Sequence, residues 1–477
     1  MRLRALLTGL TFLSIAAGAE GLPDLGEAAQ AGFTPQQERR LGDSIMREIR
    51  ADPSYLEDAE ASDYLNALGN RLVTRGASSR QEFDFFFVRD NQINAFALPG
   101  GHIGVNTGLL LTAQSESEVA SVMAHEIAHV TQRHIARLIS QQQTSQWASL
   151  ATMALALLAA RGNSDFGSAA AAFGQAGAIQ SSLNFTRDNE READRVGLQI
   201  LDTSGFDARA MGLFFERMQR ATRVYEGGAP AYLRTHPLTF ERIADIQNRV
   251  QGLPYKQIAD SLEFQLIRAK LKATVDSPSD ALVFFEESLA ERKFLSEPAS
   301  RYGLVVTLLR LRNVERARKE YDALRKITPP HPIVATLGCQ VETAARPREP
   351  ALDCYRAALK AYPNYRALTY EYAGALLDNR RAEEARRLVE DRLQFQSDDY
   401  RLYLLQSRAY ALLNKPLAQH RAQGEAYARM GNLAAAVEQF QIAVKSGDGD
   451  FYALSATEAR LRQLRTANEE LRKEERK

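Results

Sequence analysis

Several things are scarce in this 477-residue chain, and each scarcity removes a class of function. Lys and Arg number 60 and Asp and Glu 59, for a formal net charge of +1. That balance offers no one-signed surface for nucleic acid or an acidic partner. Only two cysteines occur, Cys339 and Cys354, far in sequence from every histidine of interest below, so they are not read as a metal site. In an exported protein they can pair as a disulfide; the alternative is two buried thiols. Long apolar runs are also missing. Ala5–Ile15 and the roughly fourteen-residue stretch Trp147–Ala160 both fall short of the roughly 20 residues a helical membrane span needs.

What remains is ordinary globular composition, 45% hydrophobic and 25% charged, at a length that suggests two or more domains. Residues 1–19 read as a secretory signal: Arg2 and Arg4, an apolar stretch, then Ala17-Gly18-Ala19 as a cleavage site. No cysteine lies near that site, so a lipid anchor is not supported.

The informative stretch begins at Ser115. Residues 116–130 contain no Gly or Pro and are mostly good helix formers, with Ser115 as the expected N-cap and Glu118 as its capping-box partner. Within it stands His125-Glu126-Ile127-Ala128-His129. On a helix the two histidines lie one turn apart on one face and can share a metal ion, while Glu126 can reach a water held on that ion. This is the HExxH arrangement of zinc peptidases; two hydrogen-bonded histidines on a buried helix would be the bland reading.

The flanks add detail. Thr34-Pro35-Gln36-Gln37 predicts a capped helix to about Ile49, and Pro53 a second helix. Phe83–Val88 predicts a strand, and Asn94–Val105 a strand, a Pro-Gly-Gly turn and a return strand. This ribbon is either an ordinary hairpin or an edge that holds an extended peptide. Residues 140–184, apolar and then rich in Gly and Ala, suggest a lid or plug over a cleft, a membrane-surface segment, or a helical hairpin packed on the core. A second helix starts near Asp188. A catalytic zinc usually takes three protein ligands, and Glu190 is a good third, with Asp194 one turn on. Glu192 is its rival, on a face turned away by about 160°.

HExxH at 125–129, Glu-x-x-Ala-Asp at 190–194 and the Asn-Ala-Phe-Ala…Pro-Gly-Gly segment before them resemble, as a series, the zinc metallopeptidase family that includes HtpX and the CAAX prenyl proteases. The resemblance, not the spacing, favours Glu190 over Glu192. It implies one zinc per chain on His125, His129 and Glu190, with Glu126 as general base. It implies a supporting role for Asp194, as proton donor or by orienting a histidine ligand. His236, in a Thr-His-Pro loop, matches a histidine that closes on the zinc as a fourth ligand in periplasmic members; taken alone it would cap a helix or face solvent. Arg242 matches an arginine that could stabilise an oxyanion, or is a surface residue.

From about Leu262 the chain reads as helical throughout. Ala317, Ala351 and Ala385 are spaced 34 apart, Tyr321 and Tyr355 follow the first two, then Pro329 and Pro363. This is the tetratricopeptide period, whose stacked hairpins form a concave partner-binding surface.

The expectation is a mainly α protein: residues 1–19 a signal, 20–261 an α-helical zincin-type peptidase domain with a small β-ribbon, and 262–477 an α-solenoid of tetratricopeptide repeats. By resemblance it is a periplasmic zinc endopeptidase with chaperone-like activity that promotes assembly of outer-membrane β-barrel proteins and degrades those that stall. Its repeats would dock the assembly machinery or the unfolded client. Peripheral membrane contact is allowed. The alternative is a chaperone or adaptor acting through its repeats, with a latent zinc site.

Overall fold

The first helix, α1 (Pro35–Ala51), starts where the sequence predicts: the Thr34 hydroxyl accepts from the Gln37 amide, and the Gln37 side chain accepts from the Thr34 amide. The computed structural model describes residues 33–141, 187–224 and 230–475, apart from positions 78, 80, 255, 346 and 347. The expected signal segment and nearly all of the expected lid lie outside the described residues. The second helix begins later than expected. Around Pro53 the chain instead bridges to the end of the first strand, Tyr55 opposite Val88. Helix α2 (Ala59–Leu72) starts after Asp58, whose carboxylate accepts from the Ala61 amide. An aspartate that satisfies a free amide is the stronger start signal here.

Strands β1 (Asp84–Val88), β2 (Ala95–Ala97) and β3 (His102–Asn106) form one sheet in the order β1-β3-β2. The expected hairpin is the antiparallel β2–β3 pair, and β3 also pairs in parallel with the phenylalanine-rich β1. Gly100 and Gly101 in the turn have φ of 77° and 86°, which suits glycine alone.

At the head of β3, buried His102 sits between two carboxylates, Nε2 3.1 Å from Asp43 and Nδ1 3.3 Å from Asp84. Burial opposes its charge, but the two aspartates outweigh that and raise its pKa above the usual 6.5. A raised folded-state value means that the stabilisation is complete below about pH 6.5 and fades as pH rises through the raised value. His102→Asn is therefore expected to cost more stability at about pH 5.5 than at about pH 9. Urea unfolding at both pH values tests this, and a pH-independent difference would contradict it.

After α3 (Thr107–Thr112) comes the central helix α4 (Glu116–Thr131), buried at every position from Glu116 to Val130. An element apolar around most of its circumference is stable only inside a fold. Around it lie α2, β2, α5 (His134–Gln141), α6 (Arg187–Thr203) and α7 (Arg209–Val224). The short α8 (Ala231–Thr235) and α9 (Phe240–Gln251) complete this half.

Twelve helices follow, α10 to α21, from Leu262–Val275 to Phe451–Glu475. They pair as the 34-residue period predicts, and Ala317, Ala351 and Ala385 are buried in the second helices of their hairpins. Cys339 and Cys354 stand on the two helices of one hairpin and are joined as a disulfide, with Cα atoms 5.5 Å apart. The last helix packs on the one before it: Leu461 and Leu464 lie against Ala436 and Phe440. The fold is mainly α with one small sheet and a helical repeat array, as expected.

The core does not stop at residue 261. Phe264, Ile267 and Leu271 of α10 belong to the same apolar cluster as Leu65, Val119 and Val122. Ion pairs fasten the repeats to α2: Lys270 to Asp58 (2.6 Å) and Glu60 (2.8 Å), and Arg366 to Asp63 (2.6 Å). Among the described residues no helix is long and apolar enough to cross a membrane.

Candidate metal centre

The site is built by two helices in close contact. Helix α4 is capped by the Ser115 hydroxyl, 3.3 Å from the Glu118 amide. Only half of the expected capping box forms, because the Glu118 carboxylate accepts from the Gln114 amide and holds Arg217 instead. Helix α6 lies against α4 at Gly197, where a Cβ would stand 3.0 Å from the His125 Cα. That approach needs glycine. One and two turns earlier on the same face stand Asp194 and Glu190, which are thereby pressed against the two histidines. His236 arrives from the turn that ends α8.

The structure brings His125, His129, Glu190 and His236 into one buried cluster, with a ligand atom from each within 4.8 Å of the others. The His125 and His129 Nε2 atoms are 3.0 Å apart, and His236 Nδ1 is 3.4 Å from His125 Nε2. Glu190 Oε1 is 3.0 Å from His236 Nδ1 and 3.4 Å from His129 Nε2, and Oε2 is 3.5 Å from His125 Nε2. A tetrahedral ion with bonds of about 2.1 Å has ligand–ligand edges of about 3.4 Å. Three imidazoles and a carboxylate at these separations therefore fit a metal ion. The geometry suits zinc, whose usual ligands are of these types.

Glu126 is fully buried beside the cluster. His236 Nε2 stands 3.4 Å from its Oε1. Burial pushes its carboxyl above the usual range, against the pull of His236 and His125. Burial also opposes charge on His125, but Asp194 and Glu190 outweigh it and hold the imidazole up to about 10. A metal ion would have to displace that proton.

Asp194 and Arg242 form the support. Asp194 Oδ1 is 3.0 Å from His125 Nδ1. Arg242 donates to both Asp194 oxygens, at 2.6 and 2.8 Å, and its Nη1 reaches the Pro237 carbonyl and Glu190 Oε2, each at 2.8 Å. Despite burial, Asp194 is held below its usual range by Arg242 and His125. Arg242 is buried, not at the surface, and its guanidinium contacts the two carboxylates and the main chain. Glu192, the rival ligand, faces away from the cluster, as the helical period requires, and contacts His134 and Arg137.

Two residues at the site carried no assignment from sequence. Tyr232 stacks on His236, ring centroids 4.8 Å apart; it lies four residues before His236, on the short helix that the histidine ends, which is a usable signal. His134 sits with its Nδ1 2.9 Å from His129 Nδ1, just past the end of α4, and nothing local marks it.

Sequence comparison bears on this arrangement directly. Residues 59–250 match the model for peptidase family M48, and residues 348–401 a tetratricopeptide repeat. The beta-barrel assembly-enhancing protease of Escherichia coli (strain K12) is 30% identical over 466 residues, covering 98% of this chain and 95% of that one. The protein of the same name from Yersinia pestis is 31% identical, covering 98% and 97%. The chain belongs to peptidase family M48. It is a metalloprotease, and the M48 match contains the HExxH helix, Glu190, His236 and Arg242. Metalloprotease LoiP of Escherichia coli (strain K12), 26% identical, matches 53% of this chain and 98% of its own length.

Proposed function

We propose that the chain is a zinc endopeptidase exported to the periplasm. In this reading it promotes assembly of outer-membrane β-barrel proteins and degrades those that misassemble. The observation that carries it is the buried His125–His129–Glu190–His236 cluster with the buried Glu126 carboxylate beside it. The names of the two full-length relatives supply the substrate class and the process.

His125, His129 and Glu190 hold the metal. The metal they would hold would supply polarisation of the scissile carbonyl and a more acidic attacking water. Glu126 is the general base, placed to accept the nucleophile's proton and return it to the leaving amine. Asp194 fixes the His125 ring, and Arg242 fixes Asp194 and Glu190. An extended client lies along β2, the edge strand whose outer side no strand pairs with among the described residues. Residues 1–19 direct export, 20–261 form the peptidase domain with 140–184 as its lid, and 262–477 form the repeat domain. The repeats dock the client or the barrel-assembly machinery.

His236 fills the fourth position and abuts Glu126, which supports a closed resting state that opens when the loop moves. The same contact favours a second reading, a chaperone or adaptor whose site stays closed. A time course with an unfolded outer-membrane barrel protein and purified mature chain separates them. His236→Ala is expected to cleave faster than wild type. Equal rates would argue against a closed resting state, and tight client binding without cleavage by either protein would support the adaptor.

A further inference from the structure

The two histidines of the HExxH helix are oriented by different devices. His125 Nδ1 lies 3.0 Å from a carboxylate oxygen, Asp194 Oδ1. The corresponding nitrogen of His129 faces another imidazole: its Nδ1 is 2.9 Å from His134 Nδ1. His134 in turn places Nε2 3.1 Å from Glu192 Oε2, an oxygen that Arg137 Nη1 also contacts at 3.0 Å. Both imidazoles are fully buried.

The backbone is shaped to make this contact. Helix α4 ends at Thr131, and Arg133 takes a left-handed φ of 53°, a conformation few residues other than glycine adopt. Its amide donates to the Val130 carbonyl, and its guanidinium donates to the Phe33 carbonyl at 2.8 Å. The reversal starts α5 at His134 and folds that side chain back against His129. Glu192 comes from α6, on the face opposite Glu190. One helix thus presents Glu190 to the cluster and Glu192 to the histidine behind it.

The proton positions follow from the contacts. Two Nδ1 atoms in a hydrogen bond need one N–H and one lone pair. His129 Nε2 faces the cluster and must offer a lone pair to bind a metal, so its proton is on Nδ1. His129 therefore donates and His134 Nδ1 accepts. His134 then carries its proton on Nε2 and donates it to Glu192. One tautomer of each ring satisfies the whole chain.

We infer that His134 and Glu192 are positioning residues for His129, fixing the tautomer and ring plane with which it binds the metal. The inference rests on the metal-site reading above. Outer-sphere partners of this kind are typically worth about 10–100-fold in metal affinity.

The test is zinc affinity of the full mature chain, measured on metal-free protein by chelator competition. Thermal unfolding of each metal-free variant and the visible spectrum of its cobalt-loaded form accompany it. His134→Ala is expected to weaken zinc binding about 10–100-fold and to shift the cobalt spectrum. His134→Asn is expected to restore most of the affinity, because its Oδ1 stands where Nδ1 stood and accepts the same proton. Glu192→Gln, on the more exposed side, should weaken binding by less, since an amide oxygen still accepts. Zinc binding by His134→Ala as tight as wild type would overturn the inference. So would equal losses in the Ala and Asn variants, which mark a packing role. Failure of wild type to bind zinc would instead remove the metal-site reading itself.

Discussion

Glu126→Gln is expected to slow peptide cleavage by about a thousandfold while leaving zinc content unchanged. General-base catalysis contributes roughly 10²–10⁴ to a rate, and the amide cannot take a proton from the attacking water. The substitution should not unfold the protein. The carboxylate is fully buried and burial is the largest influence on it, exceeding the pull of His236 and His125, so a neutral isostere removes a desolvation cost that outweighs those contacts. Burial raises the Glu126 carboxyl above its usual 4.5. Because the base works only when deprotonated, wild-type cleavage should fall as pH drops through that raised value. The checks are kcat for a peptide substrate across pH, metal analysis and thermal unfolding. A variant that keeps more than about a tenth of the rate would assign the base to another group.

What the sequence discloses here is what short-range geometry determines. His125 and His129 are one helical turn apart, so their common face follows from the period alone, and the same period turns Glu192 away from Glu190. The repeats are legible for a similar reason: the 34-residue spacing recurs, and each hairpin is a local object. The Thr34–Gln37 capping box spans four residues and forms as written.

The features that sequence hides depend on partners far along the chain. Asp58 rather than Pro53 starts α2, because the segment between them is drawn into a bridge with Val88, more than thirty residues on. His134 gains its role only because Arg133 takes a left-handed turn, with its side chain held by Phe33, 100 residues away. The docking of the repeats on the peptidase half rests on pairs such as Arg366 with Asp63, separated by 303 residues. No periodicity announces a contact of that kind.

Arg242 is the clearest case, and it carries the second large effect. From sequence it is one arginine on an amphipathic helix, readable as a surface residue or an oxyanion donor. In the fold it is the buried counter-charge of both Asp194 and Glu190, all three side chains nearly inaccessible. Removing one partner of a buried ion pair leaves an uncompensated charge, at a cost of about 3–5 kcal/mol. Arg242→Met is therefore expected to lower the unfolding free energy of the metal-free protein by about that amount. Arg242→Lys should lose less, since it keeps the charge but not the paired hydrogen bonds. The sign of the pH dependence follows from Asp194, whose pKa burial would raise but Arg242 and His125 hold low. Stabilisation of that kind is present above the usual aspartate value of 3.8 and lost as pH falls through the depressed one. The gap between wild type and Arg242→Met should accordingly be wide near neutrality and narrow in acid. Zinc, by taking up Glu190, should recover part of the loss. Denaturant unfolding with and without zinc decides between the two roles. An arginine acting on the transition state alone would leave every one of these stabilities at the wild-type value and lower only kcat.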